Sequence, residues 1–312
     1  MVAQRVALGL VLLLAASVMI FAGTLLLPGD VAQAILGQSA TPQALENMRR
    51  ELGLNEPPVQ RYFAWLWGAV QGDLGTSLSN GRDIASELTR RMSNTLFLAF
   101  WAALIAVPLA LILGIVAVRY QGRWPDKVIS GATLSTISVP EFLLGYILMF
   151  LFAVKFRIFP SSATIFDSMS LGDKLNAIAI PLMVLVLTVL GHMMRMTRAA
   201  IQNVMQSAYI ETAELKGLGG MAVIARHAFP NAISPVVNVV MLNMAYLIVG
   251  VVAIEIVFVY PGMGQYLVDH VSKRDVPVVQ ACGLVFAAIY IGLNMMADIL
   301  SILANPRLRH PK

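Results

Sequence analysis

The sequence predicts an all-α membrane protein with six transmembrane helices and both termini on the cytoplasmic side. Composition, the spacing of apolar runs and the distribution of Lys and Arg carry that prediction. Apolar residues make up 58% of the 312 residues and charged residues 12%, with a mean hydropathy of +0.76. A soluble domain carries about 25% charged residues, so a soluble chain of this composition would have too few polar residues to cover its surface. Crossing the hydrocarbon takes about 20 mostly apolar residues in a helix. Six stretches qualify: 6–27, 95–118, 128–154, 177–196, 236–258 and 278–303. Their apolarity is continuous, whereas barrel strands alternate apolar and polar residues over about ten positions.

The first stretch has two readings. Arg5 and the small residues Ala32, Gln33 and Ala34 resemble parts of a secretory signal. The run 6–27 is longer than the roughly 7–15 residues of a signal core, which favours a retained span. The segment 28–93 that follows is the one sizeable extramembrane piece. Within it, Thr41 can cap and Pro42 can open a helix over 43–52 whose Leu45, Met48 and Leu52 share a face, and Gly53 ends it. A second short helix over 59–70 carries Tyr62, Phe63, Trp65, Leu66 and Trp67. Such aromatic density suits a helix at the membrane interface and equally one packed against the outer ends of the spans. Gly72, Asp73, Leu74 and Gly75 form a turn.

The core 94–303 contains prolines at 108, 140 and 181, each expected to favour a kink. Pro140 and Glu141 fall in the unusually long run 128–154 and predict a tilted or bent span there. Between the fourth and fifth spans, 197–235 is polar. It reads as a helix over 197–216, a break at Gly217, Leu218, Gly219 and Gly220, and a short helix over 221–229 with Pro230 near its end. Residues 304–312 are a short tail.

Orientation follows from the basic residues. With the amino terminus inside, the cytoplasmic segments hold Arg5, Arg119, Arg123, Lys127, Arg195, Arg198, Lys216, Arg226, Arg307, Arg309 and Lys312, eleven in all. The two short outer loops hold five: Lys155, Arg157, Lys174, Lys273 and Arg274. Long segments cross regardless of charge, so 28–93 does not enter this comparison. The net charge of +5 reflects this asymmetry; no basic cluster interleaved with aromatics points to nucleic acid.

Catalytic signatures are absent from the sequence. It contains no Gly-x-x-x-x-Gly-Lys-Ser/Thr loop for nucleotide. The histidines at 192, 227, 270 and 310 have no metal-ligand spacing, and no hydroxyl sits in a nucleophile elbow. The single cysteine, Cys282, reads as a small buried hydrophobe. Three carboxylates, Glu141, Glu255 and Asp298, fall within or at the edges of spans. Such groups usually face protein or a water-filled path. Glu141 is a candidate to line a translocation path and meet a peptide amino group, Glu255 to sit at an outer gate, and Asp298 to lie on the path or near the cytoplasmic interface. Pairing between helices is the structural alternative for all three.

The segment Tyr209, Ile210, Glu211, Thr212, Ala213, Glu214, Leu215, Lys216, Gly217, followed by Arg226, His227, Ala228, Phe229, Pro230, Asn231, resembles the coupling loop of membrane subunits of ATP-driven importers. That family's pattern is Glu-Ala-Ala, three residues, Gly, nine residues, an apolar residue, one residue, Leu-Pro. Glu211, Ala213, Gly217 and Pro230 stand at the matching positions, with Thr212, His227 and Phe229 substituting at three others. These substitutions are similar to the peptide and nickel permease branch, which more often has a basic residue where Pro230 stands. Glu255 to Gly264, then Arg274, Asp275, Pro277 and Gln280, then Asn305, Pro306, Arg307 and Arg309 resemble the same branch's carboxyl-terminal pattern, with Asn305 replacing Asp. So do Gly53, Arg61, Trp65 and the turn at 72–75 in the outer segment. The resemblance covers nearly the whole chain.

What the resemblance implies is a bacterial inner-membrane permease subunit of the type I ABC importer permease fold, with a cytoplasmic coupling helix. A second homologous permease subunit, two ABC ATPase subunits and an extracytoplasmic solute-binding protein would be its partners. ATP and Mg would sit in the ATPases, and this chain would hold no cofactor. Leu218, Met221, Val223, Ile224 and Phe229 form the expected docking face, with Arg226 and His227 at its rim. Short peptides are the expected cargo; nickel chelates, glutathione and opine-like conjugates share the scaffold. A secondary transporter driven by an ion gradient, and an export permease, are the readings from other classes.

Overall fold

The structure is a computed structural model; it describes residues 2–26, 31–36, 40–51, 53 and 55–304. Among them the chain is mostly helical, with one antiparallel bridge between Thr76 and Asp83. Helix α1 (Val2–Leu25) is the first span and α2 (Val31–Leu36) a short turn after it. The outer helices are α3 (Pro42–Glu51) and α4 (Pro58–Gln71), close to the expected bounds. Thr41 Oγ1 caps α3 by accepting the Ala44 amide, and Gly72 closes α4 in the left-handed region. Leu52 and the tail from Asn305 lie outside the described residues.

Helix α5 (Ile84–Arg119) begins well before the expected position 95. Asp83 caps it through the Ser86 amide at 2.8 Å. Its extra turns are held by Ile84 and Leu88, which are buried against Met263, Tyr266 and Val278. That packing, which no local pattern announces, carries the helix beyond the hydrocarbon. Pro108 sits inside α5 without ending it.

Pro140 does break its span. Helices α6 (Trp124–Ser138) and α7 (Glu141–Met149) meet at 101°, and α7 continues through a π-helical stretch, Phe150–Lys155. Pro140 has φ −55° and ψ 136°, an extended conformation that a helix interior cannot accommodate. Pro181 causes no kink. After α8 (Leu171–Ala177), helix α9 (Ala179–Met205) starts just ahead of it, so Pro181 occupies the first turn, where no amide is needed.

The chain then passes through α10 (Ala208–Leu215), α11 (Gly220–Val223), a π-helical turn Ile224–Ala228 and α12 (Phe229–Asn231). It returns in α13 (Ile233–Val249) and α14 (Val252–Val257), turns into α15 (Met263–Ser272) and ends in α16 (Val276–Ala304). Among the described residues five helical runs are long and apolar enough to cross a membrane, or six if the bent α6–α7 pair is counted as one span. Helix α9 is the hub. It packs on α5, α6, α7 and α13, and Val184, Leu185, Met193 and Met194 are buried along it. Helix α1 lies to one side against α16, with Leu10, Leu12 and Met19 exposed, as suits a helix bathed in lipid. Tyr62 and Trp65 of α4 stack on Phe21 at 5.4 and 5.9 Å, while Phe63 and Trp67 point away. The packing expected against the outer end of a span is therefore made by Tyr62 and Trp65.

Candidate functional site: the interhelical hairpin and the buried carboxylates

The polar segment between the fourth and fifth spans is a compact helical hairpin on the ends of α5 and α9. Helix α9 stops at Met205, and Ser207 begins α10, so the expected single helix over 197–216 is two. Ile210 and Ala213 turn inward, and Glu211 and Glu214 outward. The small side chain of Ala213 lets α10 lie close against its neighbours. At the end of α10 the Gly217 amide donates to Glu214 O at 2.9 Å, and the Leu218 amide to Ala213 O at 3.4 Å. This pair of bonds is a Schellman cap, which requires a left-handed residue at Gly217; its φ is +80°. The glycine in the Glu211, Ala213, Gly217 pattern thus has a local cause.

After Gly219 the chain reverses into α11. Val223, Ile224 and Ala228 are buried with Val118, Ile201, Ile210 and Ala213, and Phe229 packs on that cluster. Ile224, like Val223, was expected on an outward docking face; it is 2% exposed and belongs to the hairpin's own core. The helical periodicity is interrupted by the π-helical turn, which rotates these residues inward. The outward surface is instead Leu215 (82% exposed), Leu218 (37%) and Met221 (45%), with Tyr209, Arg226 and Pro230 also exposed and His227 half-buried. Leu215 is the member that sequence reasoning left out; its place in the last turn of α10, one step before the cap, is the signal.

About two turns before the end of α9, Arg198 donates to Asp126 Oδ2 at 2.8 Å and to Ser130 at 2.9 Å. Asp126 also accepts the Gly122 amide at 2.9 Å. This ion pair ties the α5–α6 turn to the helix that leads into the hairpin.

The three span carboxylates have separate fates. Glu255 is fully buried. It accepts from Thr95 Oγ1 at 2.6 Å and from the amides of Gly264 and Gln265 at 2.7 and 3.0 Å. It thereby caps α15, and its expected place on a path is corrected: it is a structural anchor. A β-carbon at Gly262 would collide with the Glu255 carboxylate, which accounts for the glycine there. Around it Tyr260 donates to Asn94 O at 2.5 Å and Asn94 donates to Pro261 O at 2.8 Å. In α15, Tyr266 stacks on His270 at 4.2 Å, and burial pushes its phenol up to about 12. Asp298 pairs with Arg5 at 2.8 Å, joining α16 to α1, and is likewise an interhelical contact rather than an isolated charge. Glu141, half-buried at the α6–α7 break, accepts from Tyr246 Oη at 2.9 Å.

Asp275, present in the carboxyl-terminal pattern but given no role there, holds the 76–83 turn. It accepts from Ser77 Oγ at 2.6 Å and from the amides of Leu78 and Ser79 at 3.2 and 3.0 Å.

With this geometry in hand, comparison with known proteins is decisive. Residues 106–310 match the family described as binding-protein-dependent transport system inner membrane component, and residues 1–99 match its amino-terminal companion. The chain belongs to this family. It is an inner-membrane protein and a transport permease. A Brucella abortus (strain 2308) protein described as a peptide transport system permease is 35% identical over 99% of both chains. The glutathione transport system permease protein GsiC of Escherichia coli (strain K12) is 35% identical over 94% of each. Among solved structures, the MetNI methionine ABC transporter, in inward-facing conformations, contains a chain with a TM-score of 0.56 at 14% identity. The match covers 70% of this chain and 96% of that one, and it shows that the fold is that of an ABC transporter permease. These likenesses favour the importer over the ion-gradient and export readings.

Proposed function

We propose that the chain is the permease subunit of an ATP-driven, binding-protein-dependent importer and forms half of its translocation pathway. The observation that carries the coupling reading is the hairpin of α10 to α12. Its inner face is a closed apolar core, so it is rigid. Its outer face presents Leu215, Leu218 and Met221 to a partner. Exposed apolar groups clustered on a polar turn mark a protein contact surface. Two separate ABC ATPase subunits supply the partner grooves and hold ATP and Mg, since this chain has no nucleotide loop. Glu211, Ala213 and Gly217 shape the hairpin, Leu218 and Met221 dock, and Arg226, His227, Phe229 and Pro230 border the contact.

A second homologous permease completes the pathway, with both termini of this chain in the cytoplasm. The segment 28–93 is the platform for the extracytoplasmic binding protein. The relatives' names point to short peptides as cargo, with glutathione the nearest alternative. The cycle is alternating access. ATP closes the ATPase pair and draws the hairpins together, the bundle opens outward, and hydrolysis resets it. Arg198 and Asp126 transmit the hairpin's movement to α6.

The test is topological and functional together. A cysteine at Gly219, in a chain with Cys282 replaced by Ala, reacts with a membrane-impermeant maleimide only in inside-out vesicles. Reaction in right-side-out vesicles refutes the reading.

A further inference from the structure

We infer that Glu141 and Tyr246 form the element of the pathway that recognises a cationic α-ammonium on the cargo. This rests on the importer reading and deepens it by naming a feature of the substrate. A carboxylate within a span is costly to insert, and such groups face protein or water rather than lipid. Glu141 opens α7 just past the end of α6, and Tyr246 lies thirteen residues into α13. At 1.5 Å per residue α6 is roughly 20 Å long and Tyr246 lies roughly 20 Å along α13, depths that fall inside a hydrocarbon layer about 30 Å thick.

Glu255 and Asp298 show how this chain satisfies its other span carboxylates. One receives two amides and a hydroxyl, the other an arginine. Glu141 differs. Among the described residues no Lys or Arg pairs with it, and the side-chain bond it accepts is the Tyr246 hydroxyl. Both side chains remain partly open, Tyr246 by 41%. The break at Pro140 places them where two helix segments diverge, so backbone crowding does not close the site. A carboxylate oriented by a phenol and short of a counter-charge suits an ammonium, which brings three donors and one positive charge. Phe142, Tyr146 and Phe150 follow at four-residue spacing and are exposed by 49, 54 and 59%. They extend an apolar aromatic stripe away from the charge, able to accept varied cargo side chains without selecting among them.

The experiment uses the complete complex in proteoliposomes, with its binding protein saturated by each cargo in turn. Uptake of dialanine is compared with uptake of N-acetyl-dialanine. The wild type should favour the free amine at least tenfold. E141Q should bring the ratio within threefold, E141D should restore it, and Tyr246→Phe, which keeps the ring, should lower it by a smaller factor. Tyr246→Phe gives the same readout if E141Q fails to assemble. An unselective wild type, or an unchanged ratio in E141Q, overturns the inference. So does recovery of E141Q uptake on neutralising a basic residue of the second permease, because that residue would then be the true counter-charge. Absence of ATP-dependent uptake of either cargo by the wild type would instead refute the importer reading itself.

Discussion

Thr95 donates its hydroxyl to Glu255 at 2.6 Å and accepts the Met263 amide at 2.9 Å, so one side chain of α5 fixes both the end of α14 and the start of α15. Three separate helices converge on a buried carboxylate whose oxygens are all engaged. Removing one partner strands the others, and a buried polar group without a partner costs about 1–3 kcal/mol. Glu255→Ala should therefore lower the unfolding midpoint of the detergent-purified chain by several degrees. Glu255→Gln should cost less, because it keeps an acceptor oxygen. Gly262→Ala should match the loss from Glu255→Ala, since its β-carbon needs the space the carboxylate fills. A midpoint shift in neither variant would count against this anchor.

Gly217 and Ala213 act together at the hairpin. Alanine at Gly217 must hold a left-handed conformation, which costs roughly 1–2 kcal/mol, and nothing lies within 4 Å to clash with it. The change should leave the bundle folded and fray the end of α10. ATP hydrolysis stimulated by loaded binding protein should fall severalfold in the reconstituted complex. Stimulation equal to wild type would dissociate the cap from coupling.

Leu215 and Val223 separate surface from core within the same hairpin. Leu215→Asp touches nothing inside the chain, and surface changes stay within about 0.5 kcal/mol; its melting curve should overlay the wild type while ATPase subunits dissociate. Val223→Asp buries an unpartnered charge and should cost about 3 kcal/mol or more. Co-purification and thermal scans of the pair should show opposite patterns.

The Arg198–Asp126 pair is shielded, with the carboxylate side chain 7% exposed. Breaking a buried pair costs about 3–5 kcal/mol, so Asp126→Ala should destabilise by a value near the lower end, since Arg198 retains some solvent. The reversed pair, Asp126→Arg with Arg198→Asp, should recover part of the loss. No recovery would mean that the hydrogen bonds to Gly122 and Ser130, rather than charge, hold the link.

Asp275→Ala should release the turn at 76–83, whose two amides and one hydroxyl it binds. Hydrogen exchange at Leu78 and Ser79 should quicken at least tenfold while α9 exchanges as before. Unchanged protection would place the turn's stability elsewhere.

Much of this was legible in local pattern. Apolar run length marks where spans lie, because hydrocarbon imposes a minimum length on each. The caps at Thr41 and Gly217 follow from residue chemistry within a few positions, and so does the break at Pro140. The effect of Pro181 was not legible. A proline's consequence depends on where the helix begins and on what surrounds it, and α9 begins just before Pro181.

The candidate site divides along the same line. Ala213 and Gly217 fall within one turn of each other, where one packs inward and the other closes the helix. Which hairpin residues face outward was not legible, because the π-helical turn shifts the phase and buries Ile224. Thr95 lies 160 residues from Glu255, Arg5 lies 293 from Asp298, and Arg198 lies 72 from Asp126. Nothing in a carboxylate's immediate neighbours says whether a distant segment will bring it a hydroxyl, an arginine or nothing.

The sequence by itself determined that this chain lives in a membrane, where its apolar runs fall, and where its polar hairpin sits, since hydrophobic length and turn chemistry act over short stretches of chain. Only the tertiary structure decided which charges are anchors and which remains open. Charge compensation in a low-dielectric interior is settled by contacts between helices, and those contacts exist only once the bundle has formed.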